Sequence, residues 1–457
     1  MERSRELHMQ NFNMQTQDQR IPSTSIIKIA EPSIKIEATV AGKFLRRLFQ
    51  IIFFTQLSLI SILVIVLTIR GLIYAGNTHR FHPKKWYPPI LVSTASAGIL
   101  SFIWQWISFK NPSKALKAAF CLSPLLTCAI GVLHVLIGSP LSLAAGTIAV
   151  VSGVIQSLYA CWVSPRFEYA IKILSVSTSF PPDKTPTFVT LSIITCVIYC
   201  SFLLTGIGGA TATGTGLDIV FIIVILLTFT WSMQVIKNML SVTISRVRYM
   251  NFACGVDMST QIAFRDTVKH LVGSVCIGSA LVPVFGTIRG SARAMNMVAE
   301  DRDEFLFSCA NCYSGVASTL TTYGNRWGFV HLGVYNKGFV QASADTWEMF
   351  IRAELIPLID SDLTGVFCFL SGVAVGSICT LAGGTWALTV HKGYATEVSI
   401  YAFLIGYFMC RIALAWQQAC VSAYYVAYAE NPLSPRFDAT IPIRVEELQR
   451  NLRRHEV

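Results

Sequence analysis

The chain has 457 residues, 53% of them hydrophobic and only 13% charged, with a mean hydropathy of +0.55, a balance that excludes a soluble globular protein. Its formal charge of +11 comes from Lys and Arg in short clusters beside apolar stretches, which is the pattern of membrane orientation and not of a nucleic-acid-binding domain. The expected fold class is all-α, a polytopic transmembrane helix bundle of about ten spans with both termini cytosolic.

Residues 1–42 are polar and lack the apolar core of a signal peptide, so they read as a disordered cytosolic tail. The transmembrane domain, residues 43–430, opens after "KFLRR", whose basic residues on the near side of a first span at about 48–69 place the N-terminus in the cytosol. Further spans are expected at about 89–109, 118–138 and 141–163. "KNPSKALK" reads as a cytosolic loop, and "GSP" at 138–140 forces a tight turn. "SPRFEYAIKI" is again basic. The uncharged "GGATATGTG" at 208–216 reads as a flexible external loop between spans near 187–207 and 217–236.

A basic stretch with Lys237, Arg246, Arg248, Arg265 and Lys269 precedes a span at about 270–288. Residues 305–324 are moderately apolar and 363–390 strongly so, while 396–428 form either one long helix or a span plus an extension. Residues 431–457 read as a basic cytosolic tail. One loop, 70–88, runs against the orientation because it should be external yet holds Arg70, Arg80, Lys84 and Lys85.

Chemistry-bearing motifs are few. The Gly-rich 208–216 stretch lacks the Gly-Lys-Ser/Thr ending of a phosphate loop, and Cys309 and Cys312 form a lone CxxC without a second pair at zinc spacing. Neither a nucleophile elbow nor a His-Glu-x-x-His pair occurs. No enzyme activity, metal or cofactor is expected. "GVAVG" at 372–376 and the small residues from Ser274 to Gly278 have the spacing that lets helices approach closely in lipid. "ADTWEMFIRAELIPLID" reads as an interfacial or packing helix, with Trp347, Phe350, Ile351 and Leu355 on one face and Asp345, Glu348 and Arg352 opposite.

Polar groups at membrane depth are costly and therefore draw suspicion of function: His134, Trp231, Gln234, Lys237, Asn238, His270, Arg411, Gln417 and Gln418. Lys237 reads as a snorkelling residue at the cytosolic end of its span. Trp231, Gln234 and Asn238 lie three to four residues apart, a polar-aromatic stripe on one helix face that suits a cavity wall. Trp231 serves equally as an interfacial anchor.

Three segments, "FTWSMQVIKN", "TVKHLVGSVCIGSALV" and "YGNRWGFVHLGVYNKGFVQASADTWEMF", resemble in order and spacing the choline transporter-like family, over roughly residues 217–430. The likeness departs from the family pattern at 270–274, where an extra residue separates His270 from Gly273, and the outer loop after the first span is short. The resemblance implies carriage of choline or a similar quaternary or primary amine across the plasma membrane, or across a Golgi or other endomembrane, by alternating access. The partners it implies are that amine and the lipid bilayer, with no nucleic acid; homo-oligomerisation is left open. Trp231 would face the cationic head and Gln234 the hydroxyl, with Asn238 beside them; His270, Ser274, Tyr199 and Tyr313 are further substrate-site candidates chosen by depth. The alternative reading is a non-transporting trafficking or lipid-organising membrane protein, and a channel is a third.

Overall fold

The computed structural model describes residues 40–78, 81–299 and 304–455; the first 39 residues of the expected N-terminal tail, and Arg80, lie outside them. In chain order the helices are α1 (Val40–Thr78), α2 (Pro83–Lys110), α3 (Pro112–Ile137), α4 (Pro140–Val163), α5 (Phe167–Thr178), α6 (Thr185–Thr213), α7 (Gly216–Cys254), α8 (Thr260–Asp266), α9 (Val272–Ala299), α10 (Glu304–Tyr323), α11 (Gly328–Tyr335), α12 (Phe339–Arg352), α13 (Ile356–Asp360), α14 (Thr364–Val390), α15 (Lys392–Ala413), α16 (Ala415–Glu430) and α17 (Thr440–His455). A π-helical turn, Thr267–Leu271, joins α8 to α9. No strand occurs among the described residues.

Local chemistry sets the helix ends. Proline occupies the first turn of α2, α3, α4 and α6, where its missing N–H costs nothing. The α3–α4 turn closes through Gly138, left-handed at φ 72°, followed by Ser139, whose hydroxyl accepts from the Ser142 N–H at 3.1 Å.

Nine spans among the described residues are long and apolar enough to cross a bilayer, counting α4 with α5, α8 with α9, and α13 with α14 as continuous spans. Helix α10, at residues 304–323, is not among the nine. Leu125, Leu158, Ile198 and Leu227 lie exposed on the outer helices, a surface that only lipid tolerates in a native chain. Helices α14, α15 and α16 form the buried centre, with α16 buried along nearly its whole length. The 372–376 glycines do pack helices: a Cβ on Gly406 of α15 would fall 2.9 Å from the Gly376 Cα of α14.

Several boundaries differ from the sequence expectation. Residues 208–213 are helix, not loop, because Gly209 seats α6 directly on α1; a Cβ there would lie 2.1 Å from the Leu67 carbonyl oxygen. Helix α7 does not stop at residue 236 but runs 39 residues to Cys254. Residues 396–428 are a span plus an extension, broken at Leu414. The discordant Arg70 lies within α1, part-exposed, and is ion-paired to the buried Asp218 at the start of α7, so its charge is offset by a carboxylate. On α12, Trp347 and Phe350 are buried as expected, whereas Ile351 is exposed. After α16 the chain folds back: Ser434 Oγ donates to the Phe252 carbonyl at 2.6 Å and the Tyr424 hydroxyl to Asp438 at 2.7 Å.

Candidate functional site

Gln234, Lys237 and Asn238 of α7 line a cavity of about 500 Å³. Its other walls are α9 around Pro283 and Phe285, the breaks between α10 and α11 and between α13 and α14, and Tyr407 and Arg411 of α15. The α10–α11 break is held by Asn325. Its amide nitrogen donates to the Thr321 carbonyl at the end of α10 at 3.2 Å and its oxygen accepts from the Gly328 N–H at the start of α11 at 2.9 Å, which satisfies backbone groups the interrupted helices leave free, and the same nitrogen reaches the Ser343 carbonyl of α12 at 2.9 Å. Asp362 does the same for α14, accepting from the Thr364 N–H at 3.1 Å and its hydroxyl at 2.7 Å.

Those two breaks bring charge into the cavity. Arg326 ion-pairs with Asp362 and lies 4.6 Å over the Trp327 ring. Gly365 makes room for it, since a Cβ there would lie 2.1 Å from Arg326 Nη1. Arg289 pairs with Asp360 at 2.7 Å. Lys237 is only 9% exposed, and neither it nor Arg411 has an ion-pair partner among the described residues. Arg411 sits 5.9 Å over the Tyr407 ring. A second, small cavity of about 30 Å³ shares Lys237, Asn238 and Arg326 with it and is also lined by Gln418 and Ser422 of α16.

Of the expected site residues, the structure brings together Gln234 and Asn238, the latter donating to Ser279 Oγ at 2.9 Å. Trp231 does not line this cavity: its indole N–H donates to the Cys276 carbonyl at 3.3 Å and its ring packs edge-on against Phe53, tying α7 to α9 and α1. Tyr199 donates to Ser232 Oγ at 3.1 Å on the wall of a separate, largely apolar cavity of about 380 Å³ between α1, α6 and α7. Ser274 accepts from Arg46 Nε at 2.9 Å. His270 is exposed on the π-helical turn, and its carbonyl accepts from the same arginine at 3.4 Å. Tyr313 shares a 2.8 Å hydrogen bond with Ser291. The Cys309 side chain lies outside the described residues.

Lys237 does not end its helix but sits mid-helix, buried, on the wall of the cavity. Arg326, Trp327, Asp362 and Phe369 were missed as site residues. The signal available for the first two was the Asn-Arg-Trp sequence at a helix break; nothing local marks the others. The deep glutamine Gln417 is satisfied structurally by Ser108, whose hydroxyl donates to it at 2.8 Å.

A second polar cluster joins His331 and Tyr335 of α11 and Glu430 at the end of α16, both helices outside the nine spans, to Tyr249 near the end of α7. The Tyr249 and Tyr335 hydroxyls both donate to Glu430, the former at 2.5 Å. His331 Nε2 lies 3.9 Å from that carboxylate, yet neither ring nitrogen is hydrogen-bonded. Burial pushes the His331 pKa down to about 4, against the opposing pull of Glu430.

The sequence profile of the family described as "Plasma-membrane choline transporter" matches residues 147–433. Among curated relatives, Protein pns1 of Aspergillus fumigatus is 25% identical over 218 residues, 44% of this chain and 41% of that protein. Protein PNS1 of Mycosarcoma maydis is 26% identical over 219 residues, 45% and 41% of the two chains. A CTL-like protein of Dictyostelium discoideum is 23% identical over 216 residues, 45% and 38%. The chain thus spans about two fifths of the length of the curated relatives it matches.

Proposed function

Since the chain belongs to the plasma-membrane choline transporter family, we propose that it carries choline or a related amine by alternating access, through the cavity beside Gln234 and Asn238. The observation that carries this reading is a roomy polar cavity, about 500 Å³, built on interrupted helices inside an otherwise apolar bundle. In lipid, irregular backbone is tolerated only where protein or a cavity covers it, and interrupted helices are where carriers place solute sites.

Choline has a quaternary ammonium without N–H donors and a single hydroxyl. Aromatic faces bind such a head for about 0.5–2 kcal/mol each without a carboxylate, and Phe285 and Phe369 line the cavity with no cation on their rings among the described contacts. The hydroxyl is matched by the Gln234 amide, a side chain that can both donate and accept.

Purified protein in liposomes tests the reading. Labelled choline should enter, and faster when unlabelled choline is trapped inside. Entry without that exchange indicates a channel, and no entry above empty liposomes returns the chain to a trafficking or lipid-organising role.

A further inference from the structure

We propose that the same cavity binds an oxyanion, a phosphate or carboxylate group, held between Lys237 and Arg411. The site is additional to the carriage of choline and does not depend on it. Among the described lining residues, four cations (Lys237, Arg289, Arg326, Arg411) face two carboxylates (Asp360, Asp362). Arg289 and Arg326 use both carboxylates. The remaining excess is two positive charges, on groups that reach the cavity from α7 and α15.

That excess is costly as it stands. Lys237 is nine-tenths buried and its ammonium has no hydrogen-bond or ion-pair partner among the described residues; Arg411 Nε is buried and likewise unpartnered. Lys237, Arg411 and Arg326 all line this one cavity, where like charges repel. A buried cation is normally matched by a counter-charge, because desolvating it unpaired is expensive. The rest of the cavity offers amides, Gln234 and Asn238, and no third carboxylate among the described residues. A guanidinium fork next to an ammonium matches an oxyanion, which can take two parallel hydrogen bonds from the fork and a point charge from the lysine. Such a ligand would also tie α7 to α15, two elements that a moving carrier must be able to separate.

The test is ligand-dependent thermal stability of the full chain in a neutral detergent, with inorganic phosphate, phosphocholine, choline chloride, and phosphatidic acid in mixed micelles as separate additions. Phosphate and phosphocholine should raise Tm saturably, whereas any shift with choline chloride reports the choline reading and should be left intact by Lys237→Gln. Lys237→Gln or Arg411→Gln should raise the half-saturating phosphate concentration about ten- to hundred-fold, while Lys237→Arg retains binding. Without added anion the two neutral variants should be at least as stable as the wild type, since repulsion is relieved. A shift with phosphatidic acid alone would assign the same site to a lipid headgroup. No saturable shift with any oxyanion in the wild type, or an undiminished one in both neutral variants, overturns the proposal. Choline exchange in liposomes is read separately, so either reading can fail while the other stands.

Discussion

At the scale of single residues, burial and partners separate the polar groups that shape the cavity from those that pack. Lys237, Arg411 and Gln234 face space, whereas Trp231 and Asn325 spend their polar atoms on backbone groups. His331 is a third kind, buried with both nitrogens idle beside Glu430, Tyr335, Lys337 and Asp345. Its neutral ring is the favoured form in the fold, with a pKa near 4 against an ordinary value of 6.5. The associated stability is complete above pH 6.5 and is lost as pH falls toward 4. Between about pH 7.5 and about pH 5 the wild type should lose about 2 kcal/mol through this residue, and His331→Phe should flatten that part of the profile. Identical pH profiles for the two proteins would show that the ring is not held neutral. In the sequence the Gln234–Asn238 stripe was legible, because residues four apart share a helix face. Arg326 and Asp362 were not, since their meeting depends on two helix breaks separated by 36 positions.

At the scale of elements, apolar length made most spans legible, while their ends were not. Hydropathy falls at residue 236, yet the helix continues because α7 turns its polar residues toward a cavity and α16. The Gly-rich 208–213 segment reads as a loop for a related reason. Glycine weakens a helix in water, but here its missing side chain lets α6 lie against α1. Gly209→Ala places a methyl 2.1 Å from the Leu67 carbonyl oxygen, a backbone atom that only helix separation can relieve. The variant should lose about 1–3 kcal/mol of stability. Gly76 of α1 has nothing within 4 Å, so Gly76→Ala should leave the melting temperature unchanged or slightly raised. Equal losses in both variants would remove the close-approach explanation.

At the scale of the whole molecule, a lipid-facing shell surrounds a buried α14–α15–α16 centre, and the large polar cavity sits where interrupted helices meet α7 and α15. The bundle and its membrane location were legible from composition, because nothing but hydrocarbon suits so many long apolar segments. The cavity was legible on its α7 wall and at Arg411 of α15. Its charge balance comes from five separate elements, and no local pattern announces it. The central claim is that the solute passes beside Gln234 and not beside Trp231. The most direct measurement is the half-saturation of uptake into liposomes, for choline and for tetramethylammonium, which lacks the hydroxyl. Gln234→Leu should raise the value for choline about five- to thirty-fold, a loss of about 1–2 kcal/mol, and leave tetramethylammonium unchanged. Trp231→Leu should alter neither value per folded protein. The opposite pattern, with Trp231→Leu raising half-saturation for both solutes and Gln234→Leu leaving choline at the wild-type value, would contradict this assignment.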